Sequence, residues 1–262
     1  MPHDTVTVTL IGGPTALIEV AGLRLLTDPT FSPPADYLSG AVTLTKLTGP
    51  ARTADEVGVV DAVLLSHDQH ADNLDPAGRA FLGNARHVLT TRVGAERLAA
   101  THGGVEGLAL WETHDLASPV GATVHVTATP ARHGPEGFER ITGDVIGFVL
   151  TFDERPDHAI YITGDTVWYE GVEEVARRFD VSLILAFTGA AQTRGPISLT
   201  MTADDAVATA RAFAHATIVP IHHEGWAHFT QSQADIMAAF AAAGLAGRLH
   251  PLEPGVATTL IR

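Results

Sequence analysis

Cysteine is absent from the 262 residues. No disulfide framework and no thiolate metal site is available, so any metal site has to be built from His, Asp or Glu. Basic residues are scarce: Lys and Arg number 16 against 30 Asp and Glu, a formal net charge of −14. A field of that sign repels nucleic acid and anionic membranes, and the basic footprint of a nuclease is missing. An anionic substrate is not excluded, because a bound metal ion can dominate the local field. No apolar run approaches the ~20 residues of a membrane span. The start, Met1-Pro2-His3-Asp4-Thr5, lacks the basic region and apolar core of a signal peptide. The expectation is a cytoplasmic protein with a small-molecule partner, no nucleic acid and no membrane span, with a homo-oligomer left open. No Pro/Gly/Ser-rich linker, low-complexity tract or short repeat divides the chain, so residues 1–262 are expected to form one domain.

Hydrophobic residues make up 45% of the chain, enough for a substantial core. Val/Thr-rich runs at 5–10, 15–20 and 23–27, separated by Gly-containing turns, predict a β-meander. The proline-rich segment Asp28-Pro29-Thr30-Phe31-Ser32-Pro33-Pro34 ends it. Residues 35–58 show weak periodicity and read as loop. Further strands are expected at 59–65, 87–90, 108–111, 123–128, 144–151, 159–163, 181–187, 217–221 and 257–261. Helices are expected at 75–82, 92–100, 171–179, 202–215 and 231–243, with Asp75 capping the first and Thr202/Asp205 in capping-box spacing. A β-rich half ends near residue 130 and a mixed half follows. The pattern implies one α/β domain of two packed sheets covered by helices.

Polar residues interrupt this pattern at four strand ends. The apolar run Val59–Leu65 delivers Ser66-His67-Asp68-Gln69-His70-Ala71-Asp72-Asn73-Leu74-Asp75, with two imidazoles and several carboxylates close together. His133 follows the strand at 123–128, Asp165 follows 159–163, and His222 and His223 follow 217–221. One such histidine is ordinarily structural, but four junctions are harder to dismiss. If the strands lie side by side with the same edge up, these side chains converge. Histidine with carboxylate at close spacing suits zinc, manganese or iron. His3, His87, His102, His114, His125, His158, His215 and His250 lack a ligand-like context and read as structural.

Five ordered segments carry a family resemblance: Leu25-Leu26-Thr27-Asp28-Pro29, the 66–75 cluster, Pro130-Ala131-Arg132-His133-Gly134, Tyr161-Ile162-Thr163-Gly164-Asp165-Thr166 and Pro220-Ile221-His222. Together they resemble the motifs of the metallo-β-lactamase fold, in particular the branch of L-ascorbate-6-phosphate lactonase and related small phosphodiesterases and phospholipases. The resemblance implies a four-layer αββα sandwich, a single domain with a metal site at one edge of the two sheets. Carried over by residue, His133 would complete a first metal site with histidines of the 67–70 cluster, and Asp165 would bridge two ions. Asp72 and His222 would serve the second ion, with Asp72 also orienting the attacking water. The central motif departs from the family's His-x-His-x-Asp-His. Either Gln69 replaces the second histidine, or one residue is inserted and His70 takes that place. Asn73 then stands where the last histidine is expected.

The expected metal ligands are thus His67, His70, Asp72, His133, Asp165 and His222, holding one or two divalent ions, zinc before manganese or iron. Asp72 is the expected catalytic carboxylate, and His223 and Glu224 are expected to donate protons or support the ligands. The implied reaction is hydrolysis of an ester, lactone or phosphodiester by a metal-activated water. The alternative is a descendant with a degenerate metal site that serves as a binding module.

Overall fold

The computed structural model describes residues 5–153, 155 and 158–261. The opening meander is β1 (Val6–Gly12), β2 (Thr15–Val20) and β3 (Leu23–Thr27). Residues 35–58, expected as loop, instead hold a hairpin and a helical turn. The hairpin is β4 (Asp36–Ser39) with β5 (Val42–Thr45), joined through Gly40 in the left-handed region. A glycine at the first of two turn residues is what such a tight hairpin needs. The helical turn, α1 (Ala54–Val57), opens on a capping box between Thr53 and Glu56.

Next come β6 (Val60–Leu64), α2 (Pro76–Phe81), β7 (Ala85–Thr91), α3 (Arg92–Leu98) and β8 (Val105–Leu108). After them run β9 (Thr113–Ala117), β10 (Thr123–Pro130), α4 (Glu139–Thr142), β11 (Ile146–Phe152) and β12 (Ala159–Ile162). The chain closes with α5 (Glu170–Arg178), β13 (Val181–Phe187), α6 (Ala203–Ala212), β14 (Thr217–Ile221), α7 (Gln233–Ala242) and β15 (Ala257–Ile261). Helices α6 and α7 both start on capping boxes, Thr202 with Asp205 and Ser232 with Asp235.

Two sheets result. One has the order β15-β1-β2-β3-β6-β7-β8, and the other β14-β13-β12-β11-β10-β9. Their facing sides bury Val8, Ile18, Leu25 and Leu64 of the first sheet against Val126, Phe148, Ile160 and Leu185 of the second. The outer face of the first sheet packs Leu26, Val63 and Val88 against Val57, Phe81 and Leu98 of α1, α2 and α3. The outer face of the second packs Tyr161, Ile184 and Ile218 against Val175, Ala206 and Phe240 of α5, α6 and α7. The architecture is the four-layer αββα sandwich. The chain does not divide cleanly into two halves, because β15 returns to pair with β1.

The topology puts every polar strand end at one edge. β3, β6 and β7 are parallel, as are β12, β13 and β14, and β10 runs antiparallel to β11, which is antiparallel to β12. The ends of β3, β6, β10, β12 and β14 therefore rise together. Two backbone bonds stitch the sheets there: Ile146 N–H to the Ser66 carbonyl at 3.1 Å, and His222 N–H to the Gly13 carbonyl at 2.8 Å. Among the described residues no helix is long and apolar enough to cross a membrane.

Candidate metal centre

The loop after β6 is anchored by Asp28, which follows β3. Both Asp28 and His222 adopt left-handed backbone conformations, with φ of 24° and 57°. Such conformations store strain and persist only where surroundings fix them. Asp28 is fixed by Ser66, whose backbone N–H and hydroxyl both donate to it at 2.6 Å, and by the Asn73 amide at 3.1 Å. Burial raises the Asp28 carboxyl to about 7, against the lowering effect of these bonds.

Three imidazoles converge beside it. The Ser66 hydroxyl donates to Asp28 and so receives the Nδ1 hydrogen of His67, 2.8 Å away. The Leu199 carbonyl can only accept, so it receives the Nδ1 hydrogen of His133 at 2.8 Å. Both Nε2 atoms are left as lone pairs, and both face Nδ1 of His70, at 2.9 Å from His67 and 3.2 Å from His133. A single ring nitrogen has at most one hydrogen to offer two acceptors, whereas a cation between the three satisfies all of them. Burial, then the neighbouring imidazoles, holds His67 well below its usual range and His70 at about 4. Neutral rings are the form that ligates metal.

Asp72, Asp165 and His222 form a second group, and within each triad the ligand-type atoms lie within 4.8 Å of one another. His222 Nε2 is 3.2 Å from Asp165 Oδ1 and 3.7 Å from Asp72 Oδ2, off hydrogen-bond geometry in both cases. Asp165 Oδ2 also lacks a hydrogen bond, and it faces His133 Nε2 at 3.5 Å and His67 Nε2 at 4.0 Å. One carboxylate thus presents one oxygen to each triad. Burial disfavours the charge of Asp165, but His222 and His133 outweigh it and hold the carboxyl far below its usual range. Burial opposes protonation of His222 in turn, yet Asp165 and Asp72 raise it. Buried lone pairs without hydrogens to meet are the donor set a divalent ion requires, so the residues fit a metal centre.

Of the two residues left open for the second place in the first triad, the structure brings His70 there. His70, not Gln69, points into the first triad. Gln69 turns away, its amide donating to the Thr142 and Asp144 carbonyls at 2.9 and 3.1 Å. Asn73 lies between the triads, its amide nitrogen 3.4 Å from Asp165 Oδ1.

A pocket open to solvent leads to His70, Asp72 and His133. Its walls are mainly apolar: Val42 and Leu44 on β5, Phe138 and Ile141 at α4, and Ile197 and Leu199. His223 and Glu224, expected to handle protons, are not among its lining residues. His223 is buried, which pushes it down to about 4, and Glu224 is half-buried and raised for the same reason. His222 joins the second triad, whereas His223 joins neither. The lining histidine that sequence reasoning missed is His228, whose Nε2 donates to Asp72 Oδ2 at 2.9 Å. It follows β14 by seven residues, within a loop, and carries no strand-end signal.

The aromatic and cationic side chains near the strand ends mostly pack away from the cavity. Phe31 stacks on Phe81 in the core, Trp226 packs on Tyr37, and Tyr169 lies under Arg132, which also pairs with Glu170. The arginine that lines the cavity is Arg194.

The profile of the family described as Beta-lactamase superfamily domain matches residues 23–223. The chain belongs to that superfamily. Among its relatives, the UPF0173 protein YddR of Bacillus subtilis (strain 168) is 24% identical over 237 residues, covering 87% of this chain and 90% of the relative. A protein of Pelotomaculum thermopropionicum described as a UPF0173 metal-dependent hydrolase is 29% identical over 77% of this chain and 83% of its own length. The superfamily fold recurs in the crystal structure of an isothiocyanate hydrolase from Delia radicum gut bacteria. That structure has a TM-score of 0.84 and 22% identity, covering 97% of this chain and 99% of the other. It recurs also in a possible metal-dependent hydrolase from Veillonella parvula DSM 2008, with a TM-score of 0.83, 21% identity and coverage of 98% and 100%.

Proposed function

We propose that the protein is a metal-dependent hydrolase with a two-ion centre, acting on a small, largely apolar substrate through an ester or lactone carbonyl. The observation that carries this reading is the pair of buried triads sharing Asp165 at the floor of an apolar cavity. Divalent ions held there, zinc first, would supply an activated water and polarise the scissile carbonyl. His67, His70 and His133 would hold one ion, and Asp72, Asp165 and His222 the other, with Asp165 shared. Asp72 faces the cavity and would orient the water. Val42, Leu44, Phe138 and Ile197 would hold the apolar body of the substrate and exclude bulk water.

The names of the relatives support hydrolysis as the reaction class. The apolar walls favour a substrate with an apolar body such as an ester or lactone over a phosphodiester, whose charge would find only Arg194 among the lining side chains besides the ions themselves. An isothiocyanate also presents an electrophilic carbon on an apolar body, and it belongs on the same substrate panel. A binding module is the second reading, favoured by Asn73 at the position of an imidazole.

The test is turnover of aliphatic esters, lactones, bis(p-nitrophenyl) phosphate and an alkyl isothiocyanate, before and after chelation and zinc return. The proposal expects ester or lactone hydrolysis that chelation abolishes and zinc restores. A zinc-loaded protein that turns over none of the four classes supports the binding module instead.

A further inference from the structure

Asn73 leaves the second triad with two carboxylates and a single imidazole. Its amide nitrogen is spent on Asp28 and Asp165, and its buried Oδ1, which makes no hydrogen bond, is a weaker donor than an imidazole nitrogen. Asp72 is then the ligand-type residue that most needs holding, since it comes from the loop rather than from a strand end. His228 does this holding. Its Nε2–H donates to Asp72 Oδ2 at 2.9 Å, and both side chains are buried to all but 8% of their surface.

The ring of His228 is itself fixed. It packs on Phe229, with centroids 4.6 Å apart, and on Trp226 at 6.2 Å. Backbone bonds clamp its segment from two sides: Gln192 N–H to the His228 carbonyl, and Ala227 N–H to the Thr45 carbonyl, both at 2.9 Å. The hairpin wall and the loop at 191–199 thus meet at this residue. His228 belongs to neither triad, so it acts on the carboxylate and not as a ligand.

We infer that His228 is the positioning residue of the second ion site, fixing Asp72 from outside and offsetting the imidazole that Asn73 does not supply. The inference rests on the two-ion reading above. A hydrogen bond to a ligating carboxylate removes the freedom it would otherwise lose on binding, and loss of such outer partners typically weakens metal affinity ~10–100-fold.

The test is titration of the chelator-stripped native protein, His228→Ala and His228→Gln with Co²⁺, followed by calorimetry and visible absorption. In His228→Ala the second binding step should weaken by about 10–100-fold while the first is unchanged. His228→Gln keeps an N–H donor and should recover most of the loss. Loss of the partner of a buried carboxylate should lower the melting temperature of metal-free His228→Ala, while its unchanged first binding step separates positioning of Asp72 from a general loss of structure. If the second step is the same in His228→Ala as in the native protein, or if both steps fall together, the inference is wrong and the two-ion reading stands. If the native protein takes up no second ion, both fail.

Discussion

Lys46 is buried, and its ammonium donates to Asp75 Oδ2 at 2.9 Å and to the Thr30 carbonyl at 3.0 Å. Asp75 also accepts from the backbone of Phe31, Ser32 and Gly78, the last as the cap of α2. One carboxylate thus joins the proline-rich loop, the segment after the hairpin and α2. Removing a buried ion's partner is far costlier than removing the pair, because the remaining charge stays desolvated. Asp75→Ala is predicted to destabilise the protein by about 3–5 kcal/mol, read as a lower urea midpoint in equilibrium unfolding. A loss below about 1 kcal/mol, the range of an exposed pair, would show that Lys46 finds water or another partner. The capping role of Asp75 is legible in the sequence, because Asp-Pro at a helix start has a local meaning. The ion pair is not, since Lys46 lies 29 residues away and meets Asp75 only through the hairpin. The same contrast separates His67, His133, Asp165 and His222, exposed to reading by the apolar strands before them, from His228, which is placed by tertiary packing.

The loop bearing His67 and His70 is gripped between two helices. Arg97 on α3 forms a bidentate pair with Asp68, its Nε 2.9 Å from Oδ2, and also donates to Gln69 Oε1 at 3.1 Å. Gln69 then reaches the carbonyls at the end of α4. Gly143 is required there, because it has a φ of 79° and a Cβ would stand 2.6 Å from the Gln69 amide. Arg97→Ala is predicted to cost about 1–3 kcal/mol, toward the lower end because the guanidinium is half exposed. It should also weaken the tighter zinc-binding step, because His67 and His70 flank the freed residues. Calorimetric titration would expose the opposite case, an unchanged first step with the same loss of stability. Strands buried on both faces, such as β13 and β14, match the sequence reading to the residue, since apolar β-branched runs bounded by turns have one interpretation. Edge elements do not. β9 buries Leu116 alone among its side chains and offers no alternation to detect. The strand expected at 108–111 is displaced to Val105–Leu108, with Trp111 in a left-handed turn. Hairpin β4–β5, which walls the cavity, has the same weak pattern because its faces are mostly exposed.

At the scale of the whole molecule, a centre buried at one edge of the sandwich makes folding sensitive to acid. In the metal-free protein His67, His70 and His223 titrate below the usual histidine value of 6.5, with burial as the first cause in each. Between about 4 and about 6.5 the unfolded chain therefore binds protons that the native rings refuse, and stability falls as pH falls. Asp28 works the other way, because its native value of about 7 exceeds its unfolded one. His222 and His125 are raised and work with Asp28, but below about 6.5 they are charged in both the folded and the unfolded chain, so the three depressed imidazoles outweigh them and the single carboxyl, each contributing up to ~1.4 kcal/mol per pH unit. Urea unfolding in chelator should accordingly show lower stability at pH 5 than at pH 7. Equal or greater stability at pH 5 would mean that the rings are already charged in the native state.

The central claim is that two ion sites share this edge. Calorimetric titration of the chelator-stripped native protein with Zn²⁺ tests it most directly. The account predicts two ions per chain in two resolved steps, the tighter lost in His133→Ala and the weaker in Asp72→Ala. Zinc binding that is absent, or that survives both substitutions unchanged, would contradict it.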